Sequence, residues 1–197
     1  MKNKLVKTIL FFVIMGLYLF VPFYLISTYT DILKNGKVYR FKPRPVDPYD
    51  AFRGKYITLY FLQTSITYDT TKMDFKKGDN VYLKLEKDSA GYGIFTQAFK
   101  SAPENSDYIK TMVRYEWKKS GDPEAEITFD LPFDRYYLPE DMAPQAEQLY
   151  FENLRMRGEN TDSVYVDVRI KDGKALIEEL YFQGIPVKEF IHKHQAD

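Results

Sequence analysis

FRGKYITLYFL, residues 52–62, decides how this chain is read. Behind Gly54, Tyr56, Thr58, Tyr60 and Leu62 take one side of an alternating pattern and Ile57, Leu59 and Phe61 the other. Period 2 with bulky residues on both sides predicts a glycine-led turn running into a β-strand covered on both faces, central to its sheet. The rest of the chain has the same character. Seventeen Tyr and fifteen Phe stand against one Trp, and 45% of residues are hydrophobic, a composition that favours strands. A length of 197 residues is enough for one domain with a core and an appendage.

Upstream of the strand, KPRPVDPYD at 42–50 carries three prolines, which hold backbone in extended and turn forms and make a stiff connector. Asp47 and Asp50 read as turn residues bonding nearby amides, and a binding role for Asp47 and Arg53 is the second reading. Before the connector, KVYRF at 37–41 predicts a short first strand, preceded by an Asn35-Gly36 turn signal.

Further upstream, residues 8–26 are free of charge and follow Lys2, Lys4 and Lys7; thirteen of these nineteen are Leu, Ile, Phe or Val. At about −0.3 to −0.6 kcal/mol each, they favour insertion by about −4 to −8 kcal/mol, and the length suits a helix spanning a bilayer. A cleaved signal needs small residues at its cleavage site. Here Leu25-Ile26-Ser27-Thr28-Tyr29 follows, with no alanine before Ala51, so the span is expected to be retained. Five cations after it, from Lys34 to Arg44, outnumber the three before. The short lysine-bearing N-terminus of a signal anchor nonetheless favours N-in, C-out. Pro22 is tolerated in the span, with Tyr24 and Tyr29 at the interface. The expected division is a cytoplasmic tail at 1–7, a transmembrane signal anchor at 8–27, first strand and connector at 28–45, an extracytoplasmic β-rich domain at 46–190 and a tail at 191–197.

Downstream, residues 63–80 read as a polar loop ending in KKGDN, and VYLKLEKD at 81–88 alternates as a strand. DSAGYG closes a hairpin into YGIFTQAFK at 92–100. YIKTMVRYEWK at 108–118 puts Ile109, Thr111, Val113, Tyr115 and Trp117 on one face of a long strand; EITFDLPF at 126–133 points Ile127, Phe129 and Leu131 inward. One helix is expected from near Pro139 to about Arg157, with Ala146, Leu149, Tyr150 and Leu154 sharing a face. VYVDVRI, KDGK and ALIEELYF form a strand, a tight turn and an antiparallel strand, and IPVKEF a last short strand. The fold class is mainly β: about eight antiparallel strands in a folded-over sheet or open barrel, with one α-helix, behind an N-terminal transmembrane helix. EELYFQG at 178–184 is similar to the recognition sequence of a viral cysteine protease used to remove purification tags, so an unwanted cut is expected there.

Composition also excludes chemistry. Twenty-eight Lys and Arg balance twenty-eight Asp and Glu, which gives no nucleic-acid groove. Without cysteine there is no disulfide, thiol nucleophile or lipoprotein acylation site. Lys110 invites comparison with serine–lysine peptidases, but no serine lies between Ser27 and Ser65, and its alternation with apolar neighbours makes it a solvated strand residue. His192 and His194 are two ligands on a tail, short of a zinc site. No phosphate loop is present, and neither metal nor cofactor is expected. Asp130, Asp134, Glu140 and Asp141, around the LPFDRYYLPED turn, are the one carboxylate cluster able to supply an acid/base pair; four acids in a turn are ordinarily solvated.

Residues 54–61, GKYITLYF, are similar to the GDYxxLxY signature of a family of membrane-anchored bacterial proteins, with Lys55 in place of the aspartate and Phe61 in place of the last tyrosine. PVDPYDAFRG at 45–54 resembles that family's lead-in, FDRYYLPED at 133–141 its aromatic–proline–glutamate segment, and residues 164–187 its closing hairpin. The resemblance implies a single-pass protein of the bacterial inner (cytoplasmic) membrane with its C-terminal β-rich domain extracytoplasmic, often encoded beside a multi-spanning membrane protein. It carries over no catalytic residue. The expected function is an interaction module binding a polytopic membrane protein or an envelope component, besides the lipid bilayer itself. Its surface would comprise Asp47, Tyr49, Arg53, Gly54, Tyr56, Leu59, Tyr60, Arg135, Tyr137 and Glu140. The alternative is an envelope hydrolase using the carboxylates of the LPFDRYYLPED turn.

Overall fold

The computed structural model describes residues 2–44, 56–118, 121, 123–139, 142, 145–146, 148–149 and 164–195. It opens on a single helix, α1 (Lys2–Asn35), with Pro22 inside it. Its residues Val6–Asn35 are long and apolar enough to cross a membrane once, and its most apolar window is wholly uncovered. The helix runs through residues 28–35, where the sequence reading placed the start of a connector. Gly36 ends it by donating its amide to the Ile32 carbonyl at 2.8 Å. A Cβ there would lie 2.5 Å from that carbonyl oxygen, so the tight exit from the helix requires glycine.

Eleven strands follow among the described residues, in three antiparallel sheets. The first sheet joins β1 (Lys37–Phe41), β9 (Val164–Lys171), β10 (Lys174–Phe182) and β11 (Ile185–Pro186) in the order β1-β9-β10-β11. The expected hairpin of β9 and β10 is present, its turn made by Asp172 and Gly173 at φ 50 and 76°, the left-handed pair that a two-residue hairpin loop demands. A five-stranded sheet orders β3 (Ser65–Asp69), β7 (Glu124–Phe129), β6 (Tyr108–Lys118), β4 (Asn80–Lys87) and β5 (Gly93–Phe99) as β3-β7-β6-β4-β5. This sheet is nearly closed. Gln63, just ahead of β3, donates its side-chain amide to the Phe95 carbonyl at 2.6 Å and accepts the Phe95 amide at 2.8 Å, so one side chain bridges the two edges.

The motif strand departs from expectation. Among its described residues only Tyr56–Thr58 (β2) is a strand, paired with β8 (Arg135–Tyr137) in a two-stranded ribbon. The alternation itself holds: Ile57, Leu59 and Phe61 are buried, while Leu62 is exposed. After Thr58 the backbone finds partners outside a sheet. The Leu59 amide donates to the Asp134 carbonyl at 2.7 Å, and the Tyr60 carbonyl accepts from the Arg44 amide at 2.6 Å.

Three further corrections have local causes. Residues 65–69, expected in a loop, form β3, with Ile66 and Tyr68 buried. In β6 the register shifts between Val113 and Tyr115. Such a bulge turns the following side chains over, so Tyr115 and Trp117 are exposed while Ile109 and Val113 are buried. The expected last strand ends at Pro186, and Val187–Gln195 is a helix (α2) that buries Val187, Phe190 and Ile191 rather than a tail. Of the helix expected between 139 and 157, residues 145, 146, 148 and 149 are helical and Ala146 is buried; its remainder past Met142 lies outside the described residues.

The sheets share one core, centred on aromatic rings. Phe133 lies 5.0 Å from Phe41 and 5.1 Å from Phe61, and Phe95 lies 5.6 Å from Phe129. Phe61 thus sits where the family signature has tyrosine, buried among rings, and packs rather than bonds. The domain also grips the end of α1. Lys171 donates to both Asp31 carboxylate oxygens at 2.9 and 2.7 Å, and Arg169 donates to the Gly36 carbonyl at 3.1 Å. Ile32 is buried against the domain.

Candidate functional site

Pairing of β2 with β8 brings the motif against the FDRYYLPED segment. Tyr56 stands opposite Tyr137, ring centroids 5.6 Å apart, and the Arg135 guanidinium lies 5.0 Å over the Tyr56 ring. Arg135 is held more firmly in its charged form by Tyr137 first and by Asp134 second. Tyr56, Arg135 and Tyr137 are therefore one surface cluster. Leu59 is a core residue, 2% exposed, and takes no part in that surface. Tyr60 points elsewhere, with the Arg44 guanidinium 5.7 Å from its ring. Asp47, Tyr49, Arg53, Gly54 and Glu140 lie outside the described residues.

Beside the motif is a cleft of about 350 Å³ whose walls include Arg44, Thr58, Tyr60, Arg114, Asp130 and Asp134. Arg114 donates to Asp130 at 2.8 Å, and Arg135 lies 3.8 Å from Asp134. Asp130 first of all raises the Arg114 pKa. Each carboxylate thus has a guanidinium neighbour and is more than half exposed, an arrangement suited to recognition of polar groups rather than to a shared proton. Arg44 and Arg114 carried no signal in the sequence: one follows a strand, the other is a charge on a solvated face.

Two larger clefts lie where α1 meets the domain. One of about 500 Å³ is lined by Tyr29, Arg135, Tyr137, Ile177, Glu178 and Lys188 among others. The other, about 570 Å³, is lined by Tyr24, Leu25, Thr28, Ile32, Lys110 and Lys174 among others. Both include Tyr29, Pro132 and Ala175, so they flank one ridge. Lys110 is exposed, as its alternation predicts.

Two part-buried tyrosine–carboxylate contacts elsewhere are structural. The Tyr136 hydroxyl donates a short hydrogen bond to Glu179, and burial first, then that bond, pushes its ionisation far upward. Tyr68 donates to Glu116 at 2.6 Å and is pushed up to about 12, again chiefly by burial. Among the described residues no group of three His, Cys, Asp or Glu is placed to hold a metal ion; His192 is exposed on α2.

These features define a class first: a β-rich domain gripping the end of one long apolar helix. The GDYXXLXY protein family model matches residues 18–180, and the chain belongs to that family. No curated protein matches the chain. No solved structure matches it.

Proposed function

We propose that this is a single-pass protein of a bacterial cytoplasmic membrane, anchored N-in by α1, whose extracytoplasmic domain is an interaction module for a multi-spanning membrane protein or an envelope component. The observation that carries the reading is the unbroken passage of α1 into the domain. The Asp31–Lys171 and Arg169–Gly36 bonds tie the helix end to β9, which gives the domain a fixed attitude to the bilayer instead of a flexible tether. A rigid mount suits a module that must meet a neighbour in the same membrane. The apolar flank of α1 offers contact within the bilayer, and the cluster of Tyr56, Arg135 and Tyr137 offers an aromatic and arginine surface beyond it, residue types enriched at interfaces. The hydrolase alternative draws less support, because Asp130 is engaged by Arg114.

The test is photocrosslinking of the full-length protein in its native membrane, with the reactive group at Tyr137 in one sample and at Glu104, in the exposed loop before β6, in another. One multi-spanning protein captured from position 137 and not from 104 supports the module. Equal, nonspecific adducts from both positions refute this surface.

A further inference from the structure

The cleft of about 570 Å³ beside the end of α1 is placed at a particular depth. Residues 8–26, at about 1.5 Å per residue, make a span of about 28 Å, close to the thickness of a bilayer's hydrocarbon core. Thr28 to Asp31 then lie about 3–8 Å beyond the hydrocarbon boundary, in the layer of headgroups, which is about 5–8 Å deep on each side. Tyr24 and Tyr29, both exposed, mark that interface.

The walls divide by polarity. Leu25, Ile32, Pro132 and Ala175 supply an apolar floor, and Lys110 and Lys174 stand over it. Both lysines are exposed. No ion pair engages either among the described residues, and the ammonium of Lys110 rests 5.6 Å from the face of the Tyr82 ring, a contact that leaves its N–H donors available. Among the described residues Asp172 is the one carboxylate lining the cleft. The nearby Asp31 is already engaged by Lys171. Two cations against one anion leave the cleft net positive at the level where lipid phosphates lie.

We propose that this cleft binds an anionic phospholipid of the surrounding bilayer, its phosphate between Lys110 and Lys174 and the start of an acyl chain along Leu25. The inference rests on the reading of α1 as a membrane span. It adds a ligand that the interaction module takes from its own membrane. The lysines come from two separate parts of the domain, the β6 strand and the turn end of β10, joined where the Lys110 amide donates to the Gly173 carbonyl at 2.9 Å. A bound headgroup would hold that junction against α1.

The test uses the full-length protein, stripped of lipid in detergent and reconstituted into vesicles of phosphatidylcholine with or without phosphatidylglycerol. Vesicle flotation is scored first, then lipid retention by native mass spectrometry. Wild type is expected to float and to retain one phosphatidylglycerol per chain in preference to phosphatidylcholine. The K110A/K174A pair should float equally but hold phosphatidylglycerol about tenfold more weakly or worse, and the K110R/K174R pair should keep it. Equal retention by wild type and the alanine pair, or no preference between the two lipids as expected of a cleft filled by an acyl chain or a partner helix, overturns the lipid site alone. So does displacement of the lipid by soluble glycerol phosphate at equal occupancy, which would mark a soluble-anion site. Failure to float with either vesicle overturns both the site and the membrane reading.

Discussion

Replacing Gln63 by methionine tests how the five-stranded sheet is closed. The glutamine side chain both donates to and accepts from the Phe95 backbone, doing for the edges β3 and β5 what a ladder does between ordinary neighbours. Methionine keeps the length and volume of the side chain and removes both bonds. Each is worth about 1 kcal/mol net, and the Phe95 amide and carbonyl left in a half-buried seam add to the loss, so about 2–3 kcal/mol is expected. That is a large share of the 5–15 kcal/mol typical of a domain. Urea unfolding of the full-length protein in micelles, followed by far-UV circular dichroism, should show the midpoint fall with an unchanged slope. Hydrogen exchange gives the local reading: at about 1.4 kcal/mol per tenfold change, the residue 95 amide should exchange roughly 30- to 100-fold faster. A variant with wild-type midpoint and wild-type protection at residue 95 would refute the bridge and leave closure to side-chain packing alone.

Other consequences follow from single contacts. Tyr136→Phe removes the hydroxyl that serves Glu179 and should cost about 1.5–3 kcal/mol in urea unfolding, the range for bonds to charged groups. Because the folded state holds Tyr68 up to about 12, the folded protein keeps a proton that the unfolded chain releases near pH 10. This contribution is complete below about pH 10 and is lost as pH rises toward 12, so Tyr68→Phe should flatten the alkaline fall in stability. Asp31 is held below its ordinary pKa, chiefly by Lys171. Its grip on the helix is present above the usual carboxylate range and lost as pH falls through the lowered value. Spin labels at Thr28→Cys and Glu104→Cys, clean because the chain has no cysteine, should give a distance distribution that broadens in acid and, at neutral pH, in Asp31→Asn.

The sequence showed which side chains are buried more reliably than which backbones pair. Ile57, Leu59 and Phe61 alternate as a covered strand and are buried, yet their backbone leaves the sheet after Thr58 because Arg44 and Asp134 supply its hydrogen bonds. Periodicity reports sides, not partners. The β9–β10 hairpin was legible because Asp172-Gly173 states its own turn. Tyr115 and Trp117 alternate in phase with Ile109 and Val113 yet leave that face, because a bulge costs one residue and leaves no mark in the alternation. The helix α2 did leave one: Val187, Phe190 and Ile191 stand at helical spacing, obscured by the strand-like IPV before them. Of the expected surface, Tyr56, Arg135 and Tyr137 come together because β2 pairs with β8. Lys110 and Lys174 carry no such mark in the sequence, since only the tertiary fold brings β6 and β10 to the end of α1.

The EELYFQG run, expected to invite a cut, lies in β10 and the turn after it, where Leu180 and Phe182 are fully buried, β9 pairs along one edge of the strand and β11 pairs Tyr181 and Phe182 on the other. A protease that reads an extended peptide needs those side chains and those edges for itself. The native chain should therefore withstand the enzyme that recognises the run, and severance should keep pace with the opening of the hairpin. The protein carries its own stopwatch: a sequence-specific cleavage rate, read on a gel and without any label, that counts how often this strand comes loose.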